Sequence, residues 1–188
     1  MMIIGLTGKN ASGKGEAANY LKAKGFAYYS LSDELREEAT RRKLDHSRET
    51  LINLGNELRE KFGPGYLAKK INKKIKSNKD NADFVVDSIR SPFEAEELLK
   101  NRDFLLIGMD AQIELRFGRL LERGRAGDSK TLEEFKRHEE QENTKNKNAQ
   151  QLDETFRLAG KVIKNDSSLE ELHNKIDELL DELRKVKF

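Results

Sequence analysis

The sequence predicts an α/β protein in which helices cover both faces of a parallel sheet. Short, nearly continuous apolar runs recur along the chain, as expected of strands that are buried on both faces. Longer segments with apolar residues at helical spacing separate these runs, and a helix is the usual connection between parallel strands. A glycine-rich loop joins the first run to the first helical segment. In such folds, ligands bind at the carboxyl ends of the strands.

The individual elements follow from these patterns in chain order. Apolar runs predict five strands, at residues 2–7, 26–29, 84–87, 104–109 and 162–163. Helical spacing predicts a helix ending near 24, one over about 32–43, and others within 51–62, 67–75, 95–99, 113–120 and 169–186. Residues 136–151 contain no Val, Ile, Leu, Met or aromatic residue, so we expect no buried face there. That stretch suits a solvated helix, a mobile segment or the outer part of a lid.

Composition limits the kind of protein that this chain forms. Its 188 residues suffice for one domain, and no linker or repeat divides 1–188. The 36 Lys and Arg residues nearly balance 34 Asp and Glu, which argues against a nucleic-acid partner. The absence of Cys excludes disulfides and thiolate chemistry. No apolar run approaches a membrane span and no signal peptide is visible, so we expect a cytoplasmic protein without membrane contact.

The loop after the first strand carries a phosphate-binding motif. It fits the first seven positions of G-x-x-x-x-G-K-[ST] with Gly8, Lys9, Asn10, Ala11, Ser12, Gly13 and Lys14. In this motif, backbone N–H groups and a helix N-terminus surround a phosphate, and the lysine ammonium contacts the β- and γ-phosphates. A glycine-rich turn with an unrelated lysine is the alternative. The strand before the loop and the helix after it favour phosphate binding.

The next two residues depart from that motif. Gly15 stands where Ser or Thr would supply a hydroxyl ligand to magnesium, and Glu16 follows. The Gly-Lys-Gly sequence resembles the loop of adenylate kinases, which usually continue with Thr. We therefore expect ATP to lie against Gly15 and Glu16 as well. The departure predicts that Mg²⁺ is held mainly by phosphates and water.

Three further segments carry a family resemblance. They are S-L-S-D-E-L-R at 30–36, R-x-x-L-x-x-x-G-x-x-x-R at 48–59 and V-V-D-S-I-R-S-P-F-E-A at 85–95. With the loop, they resemble the nucleoside monophosphate kinase superfamily of P-loop kinases, and most closely its dephospho-CoA-kinase-like and deoxynucleoside-monophosphate-kinase-like branch. The resemblance implies a three-layer α/β/α P-loop NTPase fold with a five-stranded parallel sheet. It also implies a helical acceptor-binding insertion at about 32–78 and a lid region at about 119–150.

The same resemblance implies roles for side chains on the acceptor side. Arg36 and Arg90 would grip the acceptor's phosphate, and Arg59 would also reach the acceptor. Asp33 would lie near the acceptor, where a carboxylate suits a catalytic base. Asp87 ends an apolar strand and would hold the metal through water. The residue patterns alone also allow plainer roles, with Asp33 in a helical first turn, Asp87 in a strand-end turn and Arg59 on a solvated helix face.

A basic segment after the fourth strand resembles the lid of these kinases. Arg116, Arg119 and Arg123 lie at i, i+3 and i+7 on one helical face, and Arg125 and Asp128 follow. Arginines that close over a transferring phosphoryl group stabilise its charge, and the resemblance implies this catalytic role for Arg119 and Arg123. An exposed basic helix face is the alternative.

These features together predict an ATP-dependent phosphotransferase that uses Mg²⁺ and small-molecule nucleotides. Asn165, after the fifth strand, resembles the segment that packs against adenine in these kinases, although an ordinary strand-to-helix turn fits too. The favoured acceptor is a ribo- or deoxynucleoside monophosphate, whose phosphate is already anionic at pH 7. Transfer to a sugar hydroxyl, as in dephospho-CoA kinases, and a nucleotide-binding regulatory module without turnover are the alternatives. We expect a monomer or a small homo-oligomer.

Overall fold

A five-stranded parallel sheet forms the centre of the computed structural model, which describes residues 1–78, 82–124, 128–144 and 146–186. The strands are β1 (Ile3–Thr7), β2 (Ala27–Ser30), β3 (Phe84–Asp87), β4 (Phe104–Asp110) and β5 (Lys161–Lys164). Their order across the sheet is β2-β3-β1-β4-β5, and all four adjacent pairs of these described strands are parallel. The predicted α/β class and the five-stranded parallel sheet are confirmed.

Helices cover both faces of this sheet. They are α1 (Lys14–Ala23), α2 (Leu31–Arg41), α3 (Arg48–Phe62), α4 (Tyr66–Ser77), α5 (Pro92–Leu99), α6 (Ile113–Arg123), α7 (Leu132–Glu142), α8 (Leu152–Arg157) and α9 (Leu169–Val186). One core holds Ile4 with Leu21 of α1 and Leu172 of α9, and the other holds Ile3 with Leu58 of α3. Successive residues of β1 thus supply opposite faces, which explains its continuous apolar sequence. None of the helices in the described ranges is long and apolar enough to cross a membrane.

The central position of β1 sets the place of the phosphate-binding loop. β1 pairs with β3 on one side and with β4 on the other, so the ends of these three strands lie side by side. Gly5 permits close packing there, because a Cβ at this position would overlap the Phe104 ring. The loop after β1 and Asp87 at the end of β3 therefore share the carboxyl edge of the sheet.

The expectation that residues 136–151 bury no face is wrong. Glu139 and Glu142 of α7 are both buried. Glu139 pairs with Arg116 of α6, and Glu142 pairs with Arg48 of α3. The expectation considered apolar side chains alone, whereas paired charges also permit burial. The short helix α8 is a second element that the hydrophobic pattern did not predict.

Candidate functional site

The loop between β1 and α1 uses backbone conformations that glycine supplies. Gly8 and Gly13 have φ angles of 139° and 104°. A Cβ at Gly8 would overlap the carbonyl oxygen of Met109 on β4, and one at Gly13 would overlap the side-chain amide of Asn165. Ala11 between them is also left-handed, with φ of 59°. Loops with such turns direct backbone N–H groups into a concave surface that receives anions.

Lys14 begins α1 and closes over the loop. Its Nζ donates to the carbonyl oxygens of Gly8 and Lys9, each at 2.8 Å. Burial of the ammonium lowers the pKa of Lys14 from 10.5 to about 8; among nearby charges, Asp87 and Glu142 raise it, whereas Arg90 and Arg116 lower it. A phosphate at the loop would offset the cost of this buried cation, so the electrostatics suit an anionic ligand.

Ser12 and Asn165 connect the loop to the segment that follows the edge strand β5. Asn165 Nδ2 donates to the Ser12 carbonyl oxygen at 3.1 Å, and the Asn165 backbone N–H donates to the Asp110 carbonyl oxygen at 2.7 Å. The Ser12 hydroxyl is buried and has no hydrogen-bond partner within the part of the chain that the structure describes. The glycine-lined cradle fits a bound phosphate.

The metal-binding capacity of the site is small. Asp87 accepts a hydrogen bond from the Ser88 N–H at 2.6 Å. At Gly15 a Cβ would meet open space, and Glu16 beside it is exposed. The described ranges contain no group of three or more His, Cys, Asp or Glu residues that could hold a metal ion. The residues therefore fit an ion such as Mg²⁺ only where nucleotide phosphates and water complete its coordination around Asp87.

A single cavity of about 1060 Å³ joins most of the predicted residues. Its wall includes, from the sequence predictions, Gly8, Asn10, Ala11, Gly13, Lys14, Gly15, Glu16, Asp33, Arg36, Arg59, Asp87, Arg90, Arg119, Arg123, Asp128 and Asn165. Of the other predicted residues, Lys9, Ser12 and Arg116 are not among its lining residues. Arg125 lies outside the described residues. The structure thus places the donor loop and the predicted acceptor side on one continuous cavity.

On the acceptor side, the predicted arginines have different partners. Arg36 is exposed, and its Nη1 donates to Asp33 at 2.8 Å. Arg59 is buried, and both its Nε and Nη2 donate to Glu94. Sequence reasoning missed Glu94, although the pattern Ser91-x-x-Glu94 before an apolar run is typical of a helix N-terminus. Arg59 therefore contacts the cavity with a guanidinium already held by a carboxylate.

Arg90 lies where the acceptor side meets α7. Its Nη1 donates to Gln150 at 3.2 Å and lies 3.9 Å from the Glu142 carboxylate. Arg48, at the start of α3, forms an ion pair with the same oxygen of Glu142. Sequence reasoning assigned no role to Arg48 or Glu142, because their pairing joins distant segments.

The predicted lid arginines divide into buried and cavity-lining residues. Arg116 is buried; it pairs with Glu139, and its Nη1 donates to the Asn10 carbonyl oxygen at 3.2 Å. Arg119 Nη2 donates to the Asn165 carbonyl oxygen at 2.8 Å. Arg123 donates from Nε and Nη2 to Asp128, at 2.9 and 2.7 Å. One helical face thus holds α7 and the loop through Arg116 and presents Arg119 and Arg123 to the cavity.

Comparison with known proteins shows the family of the chain. A model of the AAA domain family matches residues 7–136, which include the phosphate loop. A UPF0200 protein of Pyrococcus abyssi is 34% identical over 183 residues, which cover 95% of each chain. The chain belongs to the AAA domain and UPF0200 families. A second UPF0200 relative, from Methanocaldococcus jannaschii, is 32% identical over 184 residues, which cover 97% of this chain and 91% of the relative.

Solved structures share the fold of this UPF0200 chain. TT1252 from Thermus thermophilus has a TM-score of 0.61 at 22% identity and covers 97% of both chains. The shikimate kinase of Acinetobacter baumannii, solved in complex with shikimate, has a TM-score of 0.56 at 15% identity and covers 96% of this chain and 93% of its own. The shikimate kinase of Bacteroides thetaiotaomicron gives 0.58 at 14% identity, over 96% of this chain and 98% of its own. The UPF0200 chain therefore has a P-loop kinase-like fold.

Proposed function

We propose that this UPF0200 protein is an ATP-dependent phosphotransferase that moves the γ-phosphoryl group of ATP onto a ribo- or deoxynucleoside monophosphate. The observation that carries the proposal is the single cavity that joins the Lys14 loop to the arginines of the acceptor side. A donor and an acceptor in one cavity, each held at its own end, satisfy the positioning that phosphoryl transfer requires.

The donor end accounts for binding of ATP. Gly8 to Lys14 surround the phosphates, and Asn165 holds the loop in place through Ser12. Asp87 would hold Mg²⁺ through water, and the ion would supply neutralisation of phosphate charge. Lys14 contributes an ammonium whose lowered pKa reflects a buried site that an anion would stabilise.

The transfer itself needs charge stabilisation more than a base. An oxygen of the acceptor phosphate forms a bond to the γ-phosphorus, while the bond from that phosphorus to the bridging oxygen of ADP breaks. The attacking oxygen is already anionic near neutral pH, so no proton has to move. Lys14, Arg119 and Arg123 would stabilise the charge on the transferring group.

The acceptor end favours an anionic group over a neutral one. Arg36, Arg59 and Arg90 all reach the cavity, and guanidinium groups bind phosphate in bidentate geometry. Asp33 keeps a second acceptor class open, since a sugar hydroxyl would pass its proton to a carboxylate at this place. Asp33 already accepts a hydrogen bond from Arg36, which supports a positioning role for it.

A regulatory nucleotide-binding module is the second candidate function. Gly15 and Glu16 stand at the cavity where the motif would place a hydroxyl ligand to the metal, and an acidic side chain there weakens attraction for phosphate. Such a module would bind ATP tightly and form no product.

The test is magnesium-dependent ADP formation with a panel of ribo- and deoxynucleoside monophosphates and dephospho-CoA. Lys14→Ala removes the ammonium, and Lys22→Ala removes an exposed ammonium from the same helix as the matched control. Turnover with a nucleoside monophosphate that Lys14→Ala alone abolishes supports the proposal. Turnover with dephospho-CoA only assigns the hydroxyl acceptor. ATP binding without any turnover assigns the regulatory module.

A further inference from the structure

Helix α7 places a buried carboxylate between two arginines of the cavity. Oε1 of Glu142 forms an ion pair with Nη2 of Arg48 and lies 3.9 Å from Nη1 of Arg90. The Glu142 side chain is 8% exposed, whereas the Arg48 and Arg90 side chains are 35% and 34% exposed. All three residues line the cavity. The arginines are therefore accessible to a ligand, and one internal carboxylate already engages both.

The two arginines come from distant segments of the chain. Arg48 is the first residue of α3, and Arg90 follows β3, so two distant segments direct cations to one point. Both line the cavity together with Asp87 and His46. A carboxylate offers the same oxygen geometry to a guanidinium as one face of a phosphate monoester does. Glu142 therefore has the chemical character of a substitute for an anionic ligand.

We propose that Arg48 and Arg90 form the subsite for the anionic group of the acceptor, and that Glu142 occupies this subsite until a phosphate monoester displaces it. The inference rests on the proposed function, because it specifies which acceptors the cavity admits. A neutral acceptor leaves the two arginines without compensation when Glu142 departs. A phosphate dianion brings two negative charges to the arginines in place of the single negative charge of Glu142, so the exchange selects phosphorylated acceptors.

The same helix also contacts the donor side. Glu139 lies three residues before Glu142 and pairs with Arg116, whose Nη1 donates to the Asn10 carbonyl oxygen in the phosphate loop. Helix α7 is thus joined to the donor loop through Glu139 and to the acceptor subsite through Glu142, its last residue. Displacement of Glu142 frees the C-terminal end of α7 while the Glu139–Arg116 ion pair retains the rest of the helix. Binding at one end of the cavity therefore changes the contacts of an element that both ends share.

The first experiment measures binding in the absence of ATP. Nucleoside 5′-monophosphates and inorganic phosphate are titrated calorimetrically into the wild type, Glu142→Gln, Arg48→Gln and Glu140→Gln. Glu140 is exposed on the same helix, so its variant removes an equal charge without touching the subsite. Removal of the competing carboxylate raises the competent fraction, so we expect Glu142→Gln to bind monophosphates about tenfold more tightly than the wild type. Glu140→Gln stays within about twofold of the wild type, because its charge is exposed and screened, and Arg48→Gln binds more weakly.

The second experiment uses the wild type alone, so it does not depend on the folding of a variant. Hydrogen exchange is followed at the backbone amides of 139–144 with and without a saturating monophosphate. Faster exchange on binding supports displacement of Glu142. Unchanged or slower exchange overturns it, as does a Glu142→Gln variant that binds no more tightly than Glu140→Gln.

These readouts separate the inference from the proposed function. The inference concerns anion binding, and weak monophosphate binding that Glu142→Gln leaves unimproved refutes it even if the protein transfers phosphoryl groups. The proposed function concerns turnover. If Glu142→Gln binds monophosphates more tightly but the protein forms no ADP, the anion subsite is supported. The phosphotransferase assignment is then wrong.

Discussion

Arg59 donates from Nε and Nη2 to a single oxygen of Glu94, at 3.1 and 2.9 Å, and both side chains are buried. The other oxygen of Glu94 accepts the backbone N–H of Arg90 at 3.1 Å. One carboxylate thus orients a guanidinium of α3 and the chain that follows β3. Glu94 is a positioning residue for the acceptor half of the cavity.

Removal of Glu94 should destabilise the protein strongly. Glu94→Ala leaves the buried Arg59 guanidinium without its partner, and loss of one member of a buried pair costs about 3–5 kcal/mol. Chemical denaturation measures the loss in the free energy of unfolding. Glu96→Ala, on the exposed side of the same helix, serves as the control and should change it by less than about 0.5 kcal/mol. Equal stabilities for the two variants would contradict a structural role for the Arg59–Glu94 pair.

The two glycines that flank Lys14 should respond oppositely to a serine. At Gly15 a Cβ meets open space and φ is not left-handed, so Gly15→Ser should fold with a stability within about 1 kcal/mol of the wild type. Its hydroxyl should also lower the magnesium concentration needed for half-maximal turnover, since it restores the motif's metal ligand.

Gly13→Ser provides the contrast. Its φ of 104° and the side chain of Asn165 leave no room for a Cβ, so this variant should lose ATP binding. Calorimetric titration with ATP measures the difference. Wild-type affinity in Gly13→Ser would show that the tight approach of Asn165 to the loop is dispensable.

ATP affinity should fall as the pH rises through about 8. Burial lowers the pKa of the free Lys14 to about 8, and a bound phosphate raises it again by stabilising the ammonium. Below pH 8 the ammonium is present before binding, whereas above pH 8 binding must take up a proton. The dissociation constant should therefore rise by up to about tenfold per pH unit above that point. Titrations in buffers of different ionisation enthalpy detect the proton, and Lys14→Met should bind weakly with no such uptake.

Arg116 and Arg123 occupy one face of α6, but their replacement by Ala should have different effects on stability and activity. Arg116→Ala leaves Glu139 buried and unpaired, so it should lower the free energy of unfolding by about 3–5 kcal/mol. Arg123 pairs with Asp128 near the surface, and its replacement by Ala should cost less than about 1 kcal/mol.

Among folded molecules, replacement of Arg123 should reduce activity more than replacement of Arg116. Arg123→Ala should lower kcat by about a hundredfold if it stabilises the transferring group, with little change in the KM for ATP. Steady-state kinetics at saturating ATP measure this. An Arg123→Ala enzyme with unchanged kcat would remove Arg123 from the phosphoryl-transfer machinery.

The sequence predicted the sheet well because buried parallel strands are apolar throughout. Residues 84–87 match the predicted third strand, and the other strands lie within one or two residues of their predicted bounds. The phosphate loop was equally predictable from the sequence, since its residues are consecutive. Helix α7 shows the limit of hydrophobic patterning, because Glu139 and Glu142 are buried through ion pairs rather than apolar contacts.

The candidate site was predictable only in its local parts. The loop, Asp87 and the arginines could be named from short motifs, and the structure places most of them on one cavity. Glu94, Arg48 and Glu142 could not be named from sequence, because their roles depend on contacts with residues of distant segments. Arg59 shows the same limit, since no local pattern distinguishes a solvated helical arginine from one held by a buried carboxylate.

The central place of β1 also governs how the chain reaches its native state. The first strand to be synthesised pairs only with β3 and β4, with Ile3 opposite Phe84 and Phe104. One edge of β1 has no partner until β3, which ends at Asp87, has been synthesised, and the other has none until β4, which ends at Asp110, has followed. Closure of such long intervening segments slows folding and leaves an apolar strand exposed during translation. The phosphate loop, although encoded at the start, thus acquires its final shape only after β3 and β4 have been synthesised.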